Sequence, residues 1–260
     1  MNSLNHQIVP RLLAVVLLGV IAAGCSPKPP AHGTTFVLAP MVDAQGKRAA
    51  AETWMARTEA TLAARFKAMG VQPFFQTVAT NQLQVSVAAS SGEELAAVKS
   101  LLARPGRLAF RLVHLQSDEL LSKGESALGY ELLKHTEHRP DGPESREQVL
   151  VAQAEDPALG SGAVKRAMVT RNPVGEPEIM FELTSEAAAA FAKLTRENMG
   201  RRLAIVVDGK LFSAPVIQGE IPSGRGQITG QFTVKEAMEL ANVLQSALPV
   251  PLEVVSETNF

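Results

Sequence analysis

One cysteine, one tryptophan and one tyrosine are all that the chain holds of those three residues, and each scarcity removes a class of chemistry. With Cys25 alone, no disulfide can form within the chain, and a zinc site built on two or more thiolates is excluded. Charge of one sign is missing too: 25 basic side chains stand against 26 acidic ones, a formal net charge of −1. Nothing in that balance gathers a polyanion, so nucleic acid is not an expected partner. The longest apolar run, residues 12–23, falls short of the roughly 20 residues a membrane span needs. No Gly-x-Ser-x-Gly elbow, Walker loop or His-Glu-x-x-His run occurs, which removes the commonest sequence marks of hydrolases, nucleotide binders and zinc proteases. What remains plentiful is Ala, Leu and Val, enough for a core of ordinary size in one or two domains.

The N-terminus is of a different material. Arg11 and the free amine precede the run "LLAVVLLGVIAA", which ends in the small residues before Cys25. Residues 1–24 therefore read as a signal peptide. A lone thiol directly after them resembles the lipobox of bacterial lipoproteins, in which cleavage leaves the cysteine as the new N-terminus and its sulfur takes a diacylglyceryl group. The position three before Cys25 is Ala22, where that pattern prefers Leu; the other reading is an ordinary secretory signal with an incidental cysteine. Lipidation at Cys25 implies a membrane anchor that carries acyl chains such as palmitate, and it consumes the thiol, leaving no Cys nucleophile. Residues 25–34, rich in proline, form a tether. The folded part is expected to face the periplasm or cell exterior. Ser26 after the cysteine, rather than Asp, favours the outer membrane where there are two.

Beyond the tether the patterns become regular. Residues 35–114 read as β-α-β-β-α-β, the split order of a ferredoxin-like sandwich. "TTFVLAP" is the first strand, and a long helix places Trp54, Thr58, Leu62, Phe66 and Met69 on one face before Gly70. A second helix follows a Ser91-x-x-Glu94 capping box and stops at Pro105-Gly106, and "RLAFRLV" closes the unit. Residues 115–165 read as a variable hairpin and loop: "YELLKH" and "EQVLVAQ" joined by breaker-rich residues. Residues 166–260 read as a second α+β unit. It opens with the strand "EIMFELT" and a helix capped by Thr184 or Ser185, and it includes a helix opened by a Thr233-x-x-Glu236 box. Its last strand, "PLEVVSE", belongs either there or back in the first sheet.

Candidate chemistry is thin. Asp208-Gly209 lies between two β-rich runs, and both residue types tolerate the positive φ of a type I′ turn, so a hairpin turn outweighs a catalytic carboxylate with no second acid nearby. Pro215 cannot donate to a ladder, which makes the second run, "LFSAPVI", an edge strand or a bulged one. Gly224, Gly226 and Gly230 do not match a dinucleotide loop, because the last gap is too long and a strand follows. His135 and His138 are three apart but adjoin Arg139-Pro140-Asp141-Gly142, which points to a polar loop rather than a metal site. Arg201-Arg202 complement a preceding helix end. No catalytic residue, cofactor or metal is expected, and the chain reads as a non-enzyme.

Residues 195–255, from "TRENMGRRLAIVVDGKLFSAPVIQGE" to "ANVLQSALPVPLEVV", closely resemble the large periplasmic P1 domain of SecD, the accessory subunit of the Sec export channel. The first unit looks like the base of that region and the third stretch like its head. The likeness covers nearly all of residues 35–256, specific in the last hundred and loose in 114–165. It implies a non-enzymatic, polypeptide-handling domain whose head moves relative to its base. SecD continues into further transmembrane helices whose acidic residues couple export to the proton gradient, and the chain ends at Phe260, so no motor function is carried over. The family's "GALPAPL"-like segment appears as residues 246–252 without its glycine. The resulting expectation is a membrane-anchored envelope lipoprotein that binds exported polypeptides or Sec and envelope components. The alternative is a structural or assembly lipoprotein with no substrate.

Overall fold

Strict alternation makes the first sheet one-sided. In the computed structural model, which describes residues 28–42, 49, 51–89, 92–137, 145–160 and 162–260, strands β1 (Thr34–Pro40) and β3 (Gln82–Val87) send Phe36, Leu38, Leu83, Val85 and Val87 to one face. The helices α1 (Ala51–Ala68) and α2 (Gly92–Ala103) cover it with Trp54, Leu62, Phe66, Val98 and Leu102. The Trp54 indole is fully buried, and its Nε1 donates to Asn81 Oδ1 at 2.7 Å, so its polar edge is satisfied in the turn before β3. Strand β2 (Phe74–Ala79) pairs with β3 and forms one edge. The opposite face is polar, with Thr35 Oγ1 and Ser86 Oγ 2.8 Å apart. The signal region, Cys25, Ser91 and His138 lie outside the described residues.

The strand expected to close this unit does not do so. Strand β4 (Leu108–Leu112, within "RLAFRLV") pairs antiparallel with β9 (Leu203–Val207), Leu108 opposite Val207 and Leu112 opposite Leu203. The edge beside β1 is taken by β12 (Leu252–Asn259), giving the order β12-β1-β3-β2. The reason lies in burial. Sheets with one solvated face use alternating strands, yet β4 is buried on both sides: Leu108 and Phe110 enter one core cluster, and Ala109, with Val113 just past the strand, enters another. Only the second unit covers both faces. Everything between α2 and β12 is thus inserted into a split-βαβ sandwich.

Inside the insertion, β9 continues through Asp208-Gly209 into β10 (Lys210–Ser213). Asp208 has φ 49° and Gly209 φ 77°, the left-handed pair that a two-residue type I′ connection requires. Strand β10 is the edge of the sheet β10-β9-β4. Just beyond it Pro215 offers its carbonyl to the Leu203 amide at 2.9 Å, so it joins the pairing as an acceptor. A second sheet, β11-β8-β7, comprises β7 (Val164–Arg171), β8 (Pro177–Leu183) and β11 (Arg225–Ile228). Strand β7 carries exposed Lys165, Arg166 and Met168, whose mixed character hides it from an alternation search.

Two amphipathic helices complete the insertion. Thr184 caps α4 (Ser185–Glu197), its hydroxyl accepting from the Ala187 amide. Thr233 and Glu236 form a full capping box on α5 (Val234–Gln245). The outer face of the β10-β9-β4 sheet is covered by the hairpin of β5 (Tyr130–Glu137) and β6 (Ser145–Ala152), through Val149 and Val151. A short helix, α3 (Ser117–Ser122), precedes the hairpin, and Ser117 Oγ accepts from the Leu150 amide at 2.9 Å.

Candidate functional site

The second core does not fill completely. Between α4, β8, β11 and the segment after β10 lies a cleft of about 350 Å³. Phe110, Phe181 and Phe191 form its floor, with ring centroids 5.7 Å apart for Phe110–Phe181 and 4.5 Å for Phe110–Phe191. Ile205, Ile217 and Ile221 line the walls. Gly226 makes the floor possible, since a Cβ there would stand 2.5 Å from the Phe181 ring. The rim is polar: Arg196 Nη1 meets Glu220 Oε1 at 3.4 Å, and Arg225 Nη2 meets Glu182 Oε2 at 3.5 Å. The Glu182 carboxyl is held below the usual carboxylate range, first by its bond with Lys165 and then by the Lys165, Arg225 and Arg166 charges. An apolar cleft with a mixed-charge rim can bury hydrophobic side chains while tolerating either sign around them.

The residues singled out in the sequence do not converge on this cleft. Asp208 sits at the opposite end of β9, where its Oδ1 accepts from the Arg107 amide at 2.8 Å and its Oδ2 lies 3.8 Å from Arg104 Nε. His135, on β5, pairs its Nδ1 with the Leu211 carbonyl at 3.0 Å. Among the described residues no group of three or more His, Cys, Asp and Glu side chains could hold a metal. Arg201 does serve the end of α4: its Nη1 donates to Asn198 Oδ1 at 2.9 Å, and Asn198 Nδ2 donates to the Leu194 carbonyl. Arg202 instead binds the β5–β6 hairpin through Glu147 and reaches Asp118 at 3.6 Å. Gly224 precedes β11, Gly226 lies within it and Gly230 follows it.

One residue went unread in the sequence. Arg65 is fully buried on α1 and spends its whole guanidinium on main-chain carbonyls. Nε donates to Ser246 at 2.7 Å; Nη1 donates to Leu101 and Arg104 at 2.8 and 2.6 Å; Nη2 donates to Pro105 and Val243 at 3.0 and 3.4 Å. Burial lowers its pKa to about 10; the Asp208 charge acts in the opposite sense, and Arg104 adds a smaller lowering. The signal was its spacing: Arg65 falls seven residues after Thr58, on the stripe that holds Trp54, Leu62 and Phe66.

The architecture defines a class: an α+β protein in which a split-βαβ base carries an inserted α+β head with an apolar cleft. Residues 132–250 match the SecDF P1 head subdomain. The SecD protein translocase subunit of Sebaldella termitidis is 51% identical over 98 residues, 37% of this chain and 24% of that protein. SecD of Magnetococcus marinus is 34% identical over 196 residues, 74% of this chain and 37% of that protein. A solved structure of SecDF, a membrane component that enhances protein export, superposes with TM-score 0.65 at 28% identity, covering 85% of this chain and 98% of that one. SecDF in a super-membrane-facing form gives TM-score 0.67 at 26% identity over 91% of this chain and 32% of that one. The chain is thus similar to SecD, and residues 132–250 are similar to the SecDF P1 head subdomain. Its alignments span about a quarter to somewhat over a third of the length of those SecD relatives, 24% and 37%. No helix among the described residues is long and apolar enough to cross a membrane.

Proposed function

We propose that the chain is a lipid-anchored envelope protein whose P1-type head binds apolar segments of other polypeptides without catalysis. The observation that carries this reading is the cleft floored by Phe110, Phe181 and Phe191 inside the region that matches the P1 head. Binding there is driven by removing apolar surface from water, at about 25 cal/mol per Å². The SecD relatives, named as protein translocase subunits, supply the class of partner: exported chains or the export machinery. Asp208 and Gly209 act as a turn, and no proton-coupled step is assigned to any residue.

Anchoring is proposed through Cys25, the mature N-terminal residue left by removal of residues 1–24, whose sulfur carries a diacylglyceryl group, with the protein facing the periplasm or cell exterior and held at the outer membrane where there are two. Mass spectrometry of the mature N-terminus tests this: a diacylglyceryl-cysteine supports it, and an unmodified Cys25 in the membrane fraction overturns it. Binding is tested by a photoreactive amino acid at Val216, on the cleft and 44% exposed. Cross-links to polypeptides in transit support the reading. Cross-links only to resident envelope proteins, with export unimpaired in a deletion strain, would replace it with a structural assembly role.

A further inference from the structure

Strand β11 is the outer strand of the sheet β11-β8-β7, and its Arg225, Gly226 and Gln227 line the cleft. The register tells which of its main-chain groups are free. The Leu183 amide donates to the Gly224 carbonyl at 2.9 Å, so in the antiparallel ladder Gly226 and Ile228 also turn their N–H and C=O toward β8, opposite Phe181 and Ile179. Arg225 and Gln227 turn theirs the other way. Among the described residues no main-chain group pairs with them there, and the Arg225 amide has only a 3.4 Å bond to Ser223 Oγ. An open edge of this kind is a template for one more strand, lying about 4.8 Å away.

The rows of side chains across the sheet dictate what that strand would carry. One row runs Arg166, Glu182, Arg225, alternating in charge, so its next place favours a carboxylate. Glu182 cannot neutralise the row alone, since it also binds Lys165 at 3.0 Å besides Arg225 at 3.5 Å. The adjacent row runs Ala167, Phe181, Gly226 on the face of the core. Gly226 has no side chain and the Phe181 ring lies across it, so the next place in this row favours a large apolar side chain that reaches the ring.

We infer that the cleft takes polypeptide as an extended strand added to β11, with an acidic residue beside Arg225 and an apolar one beside Gly226. The inference rests on the reading that the cleft binds polypeptide, and it adds the conformation and pattern selected there. Apolar and polar residues alternate in such a guest, and main-chain bonds hold it in place. A segment with the three- and four-residue spacing of an amphipathic helix cannot pair with the edge.

The test uses a capped peptide of about eight residues, Phe or Val alternating with Thr and Glu, added to the full chain with the photoreactive group at Val216. Gln227→Pro removes the outward amide without touching the ladder to β8, a change that edge strands tolerate; Gln227→Ala removes the same side chain and keeps the amide. Cross-linking is expected to fall about tenfold or more in Gln227→Pro and to stay within about twofold of the parent in Gln227→Ala. Equal yields in the two variants overturn the inference and leave the cleft as the binding site. Failure of the parent to cross-link the peptide overturns the inference and the cleft reading together. A peptide with Lys in place of Glu is expected to cross-link about threefold less, and an equal yield overturns the pairing with Arg225. Should Gln227→Pro fail to fold, hydrogen exchange in the parent decides: saturating peptide is expected to slow the Gln227 amide at least about tenfold, while the Gly226 amide, already bonded to β8, is protected with and without it. A Gln227 amide that stays unprotected overturns the inference.

Discussion

Asp208 and Arg107 hold each other by a reciprocal pair of bonds: the Asp208 carboxylate accepts from the Arg107 amide at 2.8 Å, and the Asp208 amide donates to the Arg107 carbonyl at 3.0 Å. The β9–β10 turn is thereby pinned to the point where the chain enters the head. Asp208 also occupies the left-handed region, which Asn tolerates and Ala does not. Asp208→Ala is expected to cost about 2–3 kcal/mol and Asp208→Asn less than about 1 kcal/mol, because the amide keeps both the acceptor and the backbone preference. Urea unfolding of the two variants measures the difference.

Gly106→Ala is expected to be among the most damaging single-methyl changes in the chain. The new Cβ meets the Val243 carbonyl, which is backbone and cannot swing aside, and φ 75° adds strain. A loss of about 3 kcal/mol or more is expected, seen as a lowered Tm with both units affected.

Trp54, the only tryptophan, reports on the base alone. Its burial and its bond to Asn81 predict blue-shifted emission in the folded protein. If base and head unfold together, denaturation followed by Trp54 fluorescence coincides with that followed by circular dichroism; an earlier or later Trp54 transition shows that the base unfolds on its own.

Glu236 titrates below the ordinary carboxylate range, held there first by the Thr233 backbone amide at 2.8 Å and then by the Thr233 hydroxyl at 2.9 Å. A depressed folded pKa means that its stabilising contribution is complete above the unfolded glutamate value of about 4.3 and is lost as pH falls through the lower folded value. The start of α5 is therefore expected to fray in acid, with faster amide exchange over residues 234–237. Thr233→Ala is expected to cost about 1 kcal/mol at neutral pH and to weaken this acid-dependent step without removing it, because the backbone amide at position 233 still donates to Glu236.

Ile221→Glu places a carboxylate on the wall of the apolar cleft. Cross-linking of polypeptide from a photoreactive group at Val216 is expected to fall about fivefold or more, while circular dichroism is unchanged. An unchanged cross-linking yield would move the binding surface elsewhere.

Much of this was legible in the residues. Trp54, Leu62 and Phe66 mark their helix face, Thr233 and Glu236 their cap, and Asp208-Gly209 its turn, because each is a local signal. The exit of β4 from the first sheet was not, since partner choice depends on which sheet can bury both of its faces, and that is settled by residues a hundred positions away in β9. Strand β7 and helix α3 escaped because one has mixed side chains and the other is too short to show a period. The cleft was invisible for a related reason: Phe110, Phe181 and Phe191 look like ordinary core residues until three separate elements bring them together. Arg65 was readable as a cation on an apolar stripe, but its five acceptors are carbonyls, which no side-chain pattern reveals.

The return of β12 to the side of β1 also sets an order of assembly during synthesis. Residues 108–244 can complete their own cores while the base still lacks its outermost strand, and residues 252–259 must emerge before β1 gains that neighbour. The earlier strand β1 thus waits for the later strand β12. A nascent chain stalled before Leu252 presents a finished head on an open-edged sheet, the form most exposed to chaperones and to pairing with another chain.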